Sequence, residues 1–173
     1  MGFSVSASAA IIFISFLMVA GTLYTAWDNA YSNVQAAQEY WYNLRLNQLN
    51  TLSALNGGLS SFRNTSTYYN LTLAIDNQGV TMYAPHWTGI YDGKYVTLYN
   101  IKDDNVSFLD DYTYVLPGQH VLLNVTYIPL NSDVHNLSVI FGDGCWIRFT
   151  WHYDSANHAV YVSESRGCPT EVS

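Results

Sequence analysis

FSVSASAAIIFISFLMVAGTLYTAW, residues Phe3 to Trp27, is an apolar stretch without a single Asp, Glu, Lys, Arg or His. As a helix that rises about 1.5 Å per residue it is roughly 37 Å long, enough to cross a hydrocarbon core of about 30 Å. A backbone in lipid must satisfy its own hydrogen bonds, so an α-helix is the expected structure. We therefore predict a transmembrane helix over residues 1–27. A cleaved secretory signal is disfavoured because nothing basic precedes the run and the run is too long.

Small side chains line the front of this stretch. Ser4, Ser6 and Ser8 alternate with small and apolar residues. Such a face lets membrane helices approach closely. An equally good interpretation is that each serine bonds the carbonyl four residues back and has no other role.

Residues 28–58 are predicted to continue the helix as a stalk that ends in a glycine hinge at Asn56-Gly57-Gly58. A heptad-like stripe along this stalk favours association with a second copy as a coiled coil. Packing of the stripe against the chain's own domain is the alternative. The residues predicted for helix self-association are Trp27, Tyr31, Val34, Gln38 and Trp41.

Composition limits the possible partners. Six Lys and Arg against 13 Asp and Glu give a formal charge of −7, so no basic patch exists and we expect no nucleic acid. Charged residues make up only 11% of the chain, whereas 15 Tyr and 5 Trp supply amphipathic surface. Such a surface favours contacts with protein or sugar, although strand propensity alone also explains the aromatic residues.

From Thr65 onward the hydrophobic period changes to two, which is typical of half-buried strands. Tyr69, Leu71, Leu73 and Ile75 are predicted to point inward. Further strands are predicted, with these bounds and inward residues: Val80–Tyr83; Lys94–Ile101; Val106–Leu109; Tyr112–Leu116; Gln119–Ile128 with Val121, Leu123, Val125 and Tyr127 inward; Asn136–Phe141 with Leu137, Val139 and Phe141 inward; Cys145–Tyr153; and His158–Ser163. About eight short strands separated by turn residues predict an antiparallel immunoglobulin-like β-sandwich over residues 59–173, so the fold class is mainly β behind a long N-terminal α-helix.

The two cysteines, Cys145 and Cys168, have no zinc-type spacing. If the domain lies outside the cell, a disulfide between them is the natural interpretation, and two buried thiols are expected otherwise. The acidic flank of the helix, with Asp28 and Glu39 before the first basic residue Arg45, mildly favours the outside.

Five N-x-S/T sequons also favour a domain outside the cell, although chance alone yields some of them in a chain this rich in Asn, Ser and Thr. A glycan must face solvent, and the sequons on strands fall at outward positions while Asn64 falls in the predicted linker. The predicted glycosylation sites are Asn64, Asn70, Asn105, Asn124 and Asn136.

Motifs for catalysis are not found in the sequence. The five histidines are scattered and are expected on exposed strands or turns, although His152 and His158 flank one hairpin. Asp103, Asp104 and the pair Asp110–Asp111 bracket one strand without the order of a calcium loop, so solvated carboxylates are expected. We predict no enzyme activity, no cofactor and no metal.

The opening MGFSVSASAAIIF (Met1–Phe13), the segment GTLYTA (Gly21–Ala26) and the helix segment NAYSNVQAAQE (Asn29–Glu39) together resemble the archaellum accessory protein F family, FlaF or ArlF. The resemblance covers roughly the first 50 residues, and the β domain resembles the family only in type. The wider relatives are pilin-like proteins with a processed leader, and this sequence departs from them because no basic residue precedes Gly2 and no Glu lies early in the helix.

The resemblance implies a single-pass membrane protein whose C-terminal domain lies outside, beneath the surface layer. It implies binding to surface-layer protein, cooperation with archaellum protein G and other archaellum components, and a stator-like anchoring role in motility. A pilin-like filament subunit is the alternative. Membrane lipid and further copies of the chain complete the expected partners.

Overall fold

The computed structural model describes residues 3–99 and 105–169. In these ranges one long helix, α1, spans Phe3–Ala54 and precedes eleven strands. Leu, Ala, Gln and Asn without Pro fill the end of the helix, so the chain stays helical until strand pairing begins. The strands are β1 (Leu55–Asn64), β2 (Tyr68–Asn77), β3 (Met82–Tyr83), β4 (Thr88–Tyr91), β5 (Lys94–Val96), β6 (Val106–Phe108), β7 (Tyr114–Val115), β8 (Gln119–Pro129), β9 (Val134–Ile140), β10 (Trp146–Asp154) and β11 (Ala159–Gly167).

The strands form two facing antiparallel sheets and a small ribbon. The four-stranded sheet has the order β1-β2-β8-β6, the five-stranded sheet has the order β11-β10-β9-β4-β5, and β3 pairs with β7. One hydrophobic cluster fills the space between the sheets, with Leu73 and Leu123 from the first and Leu137 and Phe149 from the second. The predicted fold class, a long helix followed by an antiparallel β-sandwich, is confirmed.

The alternation in β2 sets which face is buried. Tyr69, Leu71, Leu73 and Ile75 are at most 1% exposed, while the residues between them are half-buried. Because side chains in a strand alternate between faces, the intervening residues form the outer face of the four-stranded sheet. Asn77 continues the inward row and is fully buried, where its side-chain nitrogen donates to the carbonyls of Val80 and Val115.

The predicted inward position of Tyr127 is wrong, because its side chain is 64% exposed and Ile128 is buried instead. The register between β2 and β8 shifts at this point, and Tyr127 adopts a φ of 57°. A β-bulge adds one residue to a strand and turns the following side chains to the opposite face. The N–H of Tyr127 donates to Oδ1 of Asn70 at 2.9 Å, which compensates for the interrupted ladder.

The predicted hinge at Asn56-Gly57-Gly58 is also wrong. These residues lie in β1, where Gly57 pairs with Ile75 and Gly58 with Ala74, and the predicted linker up to Asn64 belongs to the same strand. A Cβ atom on Gly57 would lie 2.5 Å from the Phe149 ring, so this glycine permits the close approach of the second sheet. Pairing with β2 outweighs the low strand propensity of the two glycines.

Strands β4 and β5 also differ from prediction. Strand β4 was not predicted, because a glycine in a four-residue segment after Pro85 indicates a turn. Gly89 is needed there because a Cβ atom would lie 2.6 Å from the Val96 side chain. The strand predicted for Lys94–Ile101 ends at Val96, and residues 100 and 101 lie outside the described ranges, as do Asp103 and Asp104.

The chain divides into two compact units, residues 1–45 and residues 46–173. The last turns of α1 therefore belong to the same unit as the sheets. In the first unit the helix contains a segment long and apolar enough to cross a membrane, with a mean hydropathy of 2.0 over its most apolar 18 residues and none of that window buried.

Candidate functional site

The surface of α1 is the first candidate for binding. All described side chains from Ala7 to Asn43 are exposed, including the predicted self-association residues. Trp27 is 75% exposed, Tyr31 63%, Val34 56% and Trp41 43%, and Gln38 is exposed with them. Such apolar surface has to be covered by lipid or by another helix. Self-association through the stripe stays a prediction, and the small-residue face at Ser4 and Ser6 lies where side chains are not described.

The last turns of α1 have different surroundings, although they continue the same helix. Gln48 is 6% exposed and Thr51 is 2% exposed. The Thr51 hydroxyl donates to Oδ2 of Asp143 at 2.7 Å, and Nε2 of Gln48 donates to the Asp143 carbonyl at 3.1 Å. The N–H of Gln78 donates to the carbonyl of Ala54 at 2.9 Å. We call residues 46–54, with these contacts, the seated segment.

Sequence reasoning missed the seated segment, because Gly142-Asp143-Gly144 indicated only a turn. The Asp143 carboxylate in fact serves two partners, since its Oδ1 accepts the N–H of Cys145 at 3.0 Å. A Cβ atom on Gly79 would lie 2.4 Å from Cβ of Ala54, so the turn after β2 also packs closely on the helix end. The only signal for these contacts in the sequence is an Asp inside a turn, two residues before a cysteine.

Cys145 and Cys168 are joined by a disulfide in the structure. Cys145 is 1% exposed and directly precedes β10, and Cys168 directly follows β11. Their Sγ atoms lie 3.8 Å and 3.5 Å from the carbonyl oxygen of Gln48. The disulfide therefore packs against the seated segment as well as closing the β10–β11 hairpin.

The predicted glycosylation residues lie in different surroundings. Asn70, Asn124 and Asn136 are half-buried on outer sheet faces, whereas Asn64 and Asn105 are exposed. Nδ2 of Asn64 donates to the hydroxyl of Tyr153 at 3.1 Å. Glycosylation of these residues stays a prediction.

A polar and aromatic cluster lies inside the sandwich, and one predicted property of it is wrong. His135, expected to be exposed, is 9% exposed and contacts Asp92 through Nδ1 at 2.7 Å. Tyr91 stacks on Trp151 at 6.1 Å, and Nε1 of Trp151 donates to the Tyr69 hydroxyl at 3.2 Å. The pairing places His135 inward because it lies opposite Trp151 in the β9–β10 ladder.

Burial controls the ionisation of the tyrosines in this cluster. It raises the pKa of Tyr91 well above its ordinary value, and the nearby Asp92 charge raises it further. Burial also raises the pKa of Tyr69, against a smaller opposing effect of the bond from Trp151. Both phenols are therefore neutral across the physiological range, which fits a structural role.

The outer face of the five-stranded sheet carries a groove. Its lining includes Ile90, Ser138, Trp146 and Arg148. The Trp146 ring lies over Gly167, where a Cβ atom would be 2.7 Å from the ring, and Nε of Arg148 donates to the Ser138 hydroxyl at 2.9 Å. The groove combines the Arg148 guanidinium with polar side chains such as Ser138 and with apolar surface, so its chemistry suits binding.

Histidines and carboxylates do not converge on a metal-type cluster in the parts of the chain that the structure describes. His152 stacks on Tyr161 at 5.6 Å, while His158 contacts the Tyr153 hydroxyl, so these two histidines have separate partners.

A family model supplies the identity that these surfaces leave open. The model of the archaeal-type flagellins matches residues 2–151, which is most of the chain and includes both the helix and most of the sandwich. The chain belongs to the archaeal-type flagellin family. It is thus an archaellum-related protein of a family of structural components, although the match does not single out accessory protein F.

Solved structures give the same fold. The archaeal flagellum of Methanospirillum hungatei strain JF1 is similar with a TM-score of 0.56 and 20% identity, over 83% of this chain and 90% of that chain. The archaellum periplasmic stator protein FlaG from Sulfolobus acidocaldarius has a TM-score of 0.42 and 15% identity, over 56% of this chain and 98% of that one. The similarity to the flagellum of Methanospirillum hungatei shows a shared fold. The TM-score against FlaG is too low to support a further conclusion. No curated protein matches the chain.

Proposed function

We propose that the chain is a membrane-anchored archaellum component, whose N-terminal helix sits in the cell membrane and whose sandwich lies outside, beneath the surface layer. There it binds surface-layer protein and provides the motor with a fixed reference, as a stator does. The observation that carries the anchor is the uncharged run from Phe3 to Trp27, which is about as long as a bilayer is thick.

The exposure of α1 supports the anchor. Every described side chain from Ala7 to Trp27 is exposed, so the apolar surface continues all round the helix, as lipid requires. Tyr24 and Trp27 end the run where the first charge, Asp28, follows. Tyr and Trp are enriched at the membrane–water boundary, so this end of the run fits an interface.

The seated segment supports the mechanical role. A stator has to resist force, and the helix end at residues 46–54 is held by Asp143, the β2–β3 turn and the disulfide. A load on the sandwich then reaches residues 46–54 through several hydrogen bonds and through packing on the disulfide. The resemblance of the first 50 residues to accessory protein F supports surface-layer protein and archaellum protein G as partners.

A pilin-like filament subunit is the second candidate. It is favoured by the flagellin family and by the fold shared with the archaeal flagellum of Methanospirillum hungatei over most of both chains. In this function the exposed face of α1 packs on many further copies instead of lipid.

One experiment separates the two functions. Membranes and sheared filaments from cells that make the protein are probed for the full-length chain, and the chain reconstituted in lipid vesicles is then mixed with surface-layer sheets. The anchor predicts recovery in membranes and saturable binding of the vesicles to the sheets, while vesicles without protein stay unbound. Recovery in the sheared filaments, with no binding to the sheets, would establish the filament subunit instead.

The stripe on α1 has its own test. We infer that Tyr31, Val34 and Trp41 contact a second copy, so Val34→Asp is expected to shift the chain in mild detergent from dimer to monomer. Ala36→Asp is the matched control, because Ala36 lies on the side of the helix opposite the stripe. Equal effects of both variants would show that the stripe is not the contact.

A further inference from the structure

The groove on the outer face of the five-stranded sheet spans three neighbouring strands, β4, β9 and β10. Its volume is about 450 Å³, within the range of roughly 300–1,000 Å³ that is typical of ligand pockets. Side chains in a strand alternate between faces, so every second residue of each strand reaches the groove. In the register of the sheet Ile90 pairs with Ser138, and Ser138 pairs with Arg148. These three side chains therefore form one row across the groove.

The rows on either side of Arg148 differ in chemistry. Trp146 pairs with Ile140 in an apolar row, and Thr150 pairs with Asn136 in a row of neutral polar side chains. The Trp146 ring lies over Gly167, where a Cβ atom would be 2.7 Å from the ring, so the ring lies along the sheet. A ligand in the groove thus meets an apolar surface on one side, a guanidinium in the middle and an amide and a hydroxyl on the other side.

Arg148 is the only charged residue among the described residues that line the groove. Its Nε donates to the Ser138 hydroxyl at 2.9 Å, and its guanidinium carbon lies 5.4 Å from the centroid of the Trp146 ring. Ser138 is 6% exposed, so the groove orients the guanidinium through a buried hydroxyl. Neither contact uses Nη1 or Nη2. Paired N–H groups of a guanidinium bind a carboxylate through two parallel bonds.

Carboxylates of the chain itself do not neutralise this cation. Asp92, which precedes Gly93 at the groove, contacts Nδ1 of His135 through Oδ2 at 2.7 Å and accepts the N–H of Asn136 through Oδ1 at 2.8 Å. Within residues 3–99 and 105–169 Arg148 forms no ion pair. The positive charge in the groove is therefore available to an anionic ligand.

We propose that the groove binds a saccharide that carries a carboxylate, such as a uronic acid unit, and that the surface layer carries this saccharide. The carboxylate bonds to Arg148, the apolar face of the sugar ring packs on Trp146 and Ile140, and the sugar hydroxyls bond to Asn136 and Thr150. The proposal rests on the proposed function only for the source of the saccharide.

An acidic peptide fits the groove less well than a saccharide. Extended peptides commonly bind by adding a strand to an open sheet edge. Strands β4, β9 and β10 each have a neighbour on both sides, so the groove has no open edge and presents only side chains. A ligand with a small apolar ring face, several hydroxyls and one carboxylate matches those side chains.

Asn136 is also one of the predicted glycosylation residues. A sugar attached to its Nδ2 would fill the groove, so modification of Asn136 and binding of an external saccharide exclude each other. Mass spectrometry of the chain from the cells that make it should therefore show an unmodified Asn136. A glycan at this residue would overturn the proposal.

The binding test is a calorimetric titration of the full-length chain in detergent. The probe is trigalacturonate, and maltotriose is the neutral control of the same length. We expect saturable binding of trigalacturonate and a Kd for maltotriose that is at least about tenfold higher, because the bond to the guanidinium is charge-assisted. Absence of trigalacturonate binding would overturn the proposal, as would equally tight binding of triaspartate.

Variants locate the bound saccharide in the groove. Arg148→Gln should raise the Kd of trigalacturonate about tenfold, while Arg148→Lys should have a smaller effect because it keeps the charge and loses the paired bonds. Arg166→Gln is the matched control, since Arg166 lies on β11 outside the groove and its Nη1 donates to Oδ1 of Asn56 at 2.9 Å. Unfolding midpoints check that each variant is folded. Equal losses in folded Arg148→Gln and Arg166→Gln would show a general charge effect and refute the groove.

Competition identifies the source of the saccharide. Vesicles that contain the chain are bound to surface-layer sheets, and trigalacturonate should release them while maltotriose should not. Vesicles that bind the sheets and resist release would refute the surface layer as the source. If trigalacturonate binds the groove but the vesicles do not bind the sheets at all, the proposed function fails and the saccharide site stands.

Discussion

Two parts of one helix differ in almost everything except backbone conformation. From Ala7 to Asn43 no described side chain of α1 is buried, whereas the seated segment buries Gln48 and Thr51 against the Asp143 turn. Most helical stability in proteins comes from packing one face on other structure. The stability of the first part therefore depends on contacts with lipid or with other chains, whereas the seated segment is stabilised by contacts within its own chain.

The largest effect is expected from the disulfide, which lies against the seated segment. Changing Cys145→Ser and Cys168→Ser together should lower the free energy of unfolding of the sandwich by about 3 kcal/mol, because the unfolded chain regains the freedom of the closed loop. Denaturant unfolding of the full chain in detergent, followed by Trp fluorescence, measures this loss.

The control for this variant is reductant. Reductant should destabilise the oxidised wild-type chain by a similar amount and leave the double variant unchanged. Wild-type and variant chains with equal unfolding midpoints would show that the stability of the sandwich does not depend on the disulfide.

The second effect concerns the two glycines that the sequence assigned to a hinge. Gly57→Ala should destabilise the sandwich by about 1–3 kcal/mol, because its Cβ atom would lie 2.5 Å from the Phe149 ring and the core must shift. Gly58→Ala is the matched control, since no atom lies within 4 Å of a Cβ there. Unfolding midpoints of the two variants measure the difference, and equal midpoints would favour a hinge over a strand.

These glycines also show where sequence reasoning stops. The period-two pattern correctly placed Leu71, Leu73, Val121 and Leu123 inside, because burial of one face imposes that period on any strand. It failed at Gly57, where the constraint comes from a phenylalanine far along the chain. A local pattern contains no information about such a contact.

The same limit applies to the candidate sites. Tyr127 followed the alternation perfectly, yet a bulge held by Asn70 turned it outward. The alignment of Thr72, Asn124 and Ser107 across β2, β8 and β6 depends on the register of three strands, which no single segment encodes. The apolar run predicted the long N-terminal helix correctly, since it is a property of one continuous segment and does not require strand pairing.

The third effect compares one substitution in the two parts of the helix. Thr51→Val should cost about 1–2 kcal/mol, because the hydroxyl bond to the Asp143 carboxylate is lost while the shape is kept. Thr25→Val should be nearly neutral, since the Thr25 hydroxyl bonds only carbonyls of its own helix, those of Gly21 and Thr22. Thermal unfolding of both variants in the same detergent checks this, and a larger loss for Thr25→Val would reverse the comparison.

The smallest effect is expected at Asp154, a half-buried carboxylate at the end of β10 that contrasts with Asp143 beside the seated segment. Bonds from the Asn157 side chain and from the N–H groups of Ala156 and Asn157 hold the pKa of Asp154 below its ordinary value. A lowered folded pKa contributes stability above the ordinary carboxyl pKa of about 3.9, and this contribution is lost as the pH falls through the folded value. Asp154→Asn should therefore lower the melting temperature slightly at pH 7, and this difference from wild type should shrink as the pH falls through the lowered pKa of Asp154. Ser155→Ala in the same turn should give no pH-dependent difference. A gap between Asp154→Asn and wild type that persists unchanged near pH 2 would mean that the turn depends on shape and not on charge.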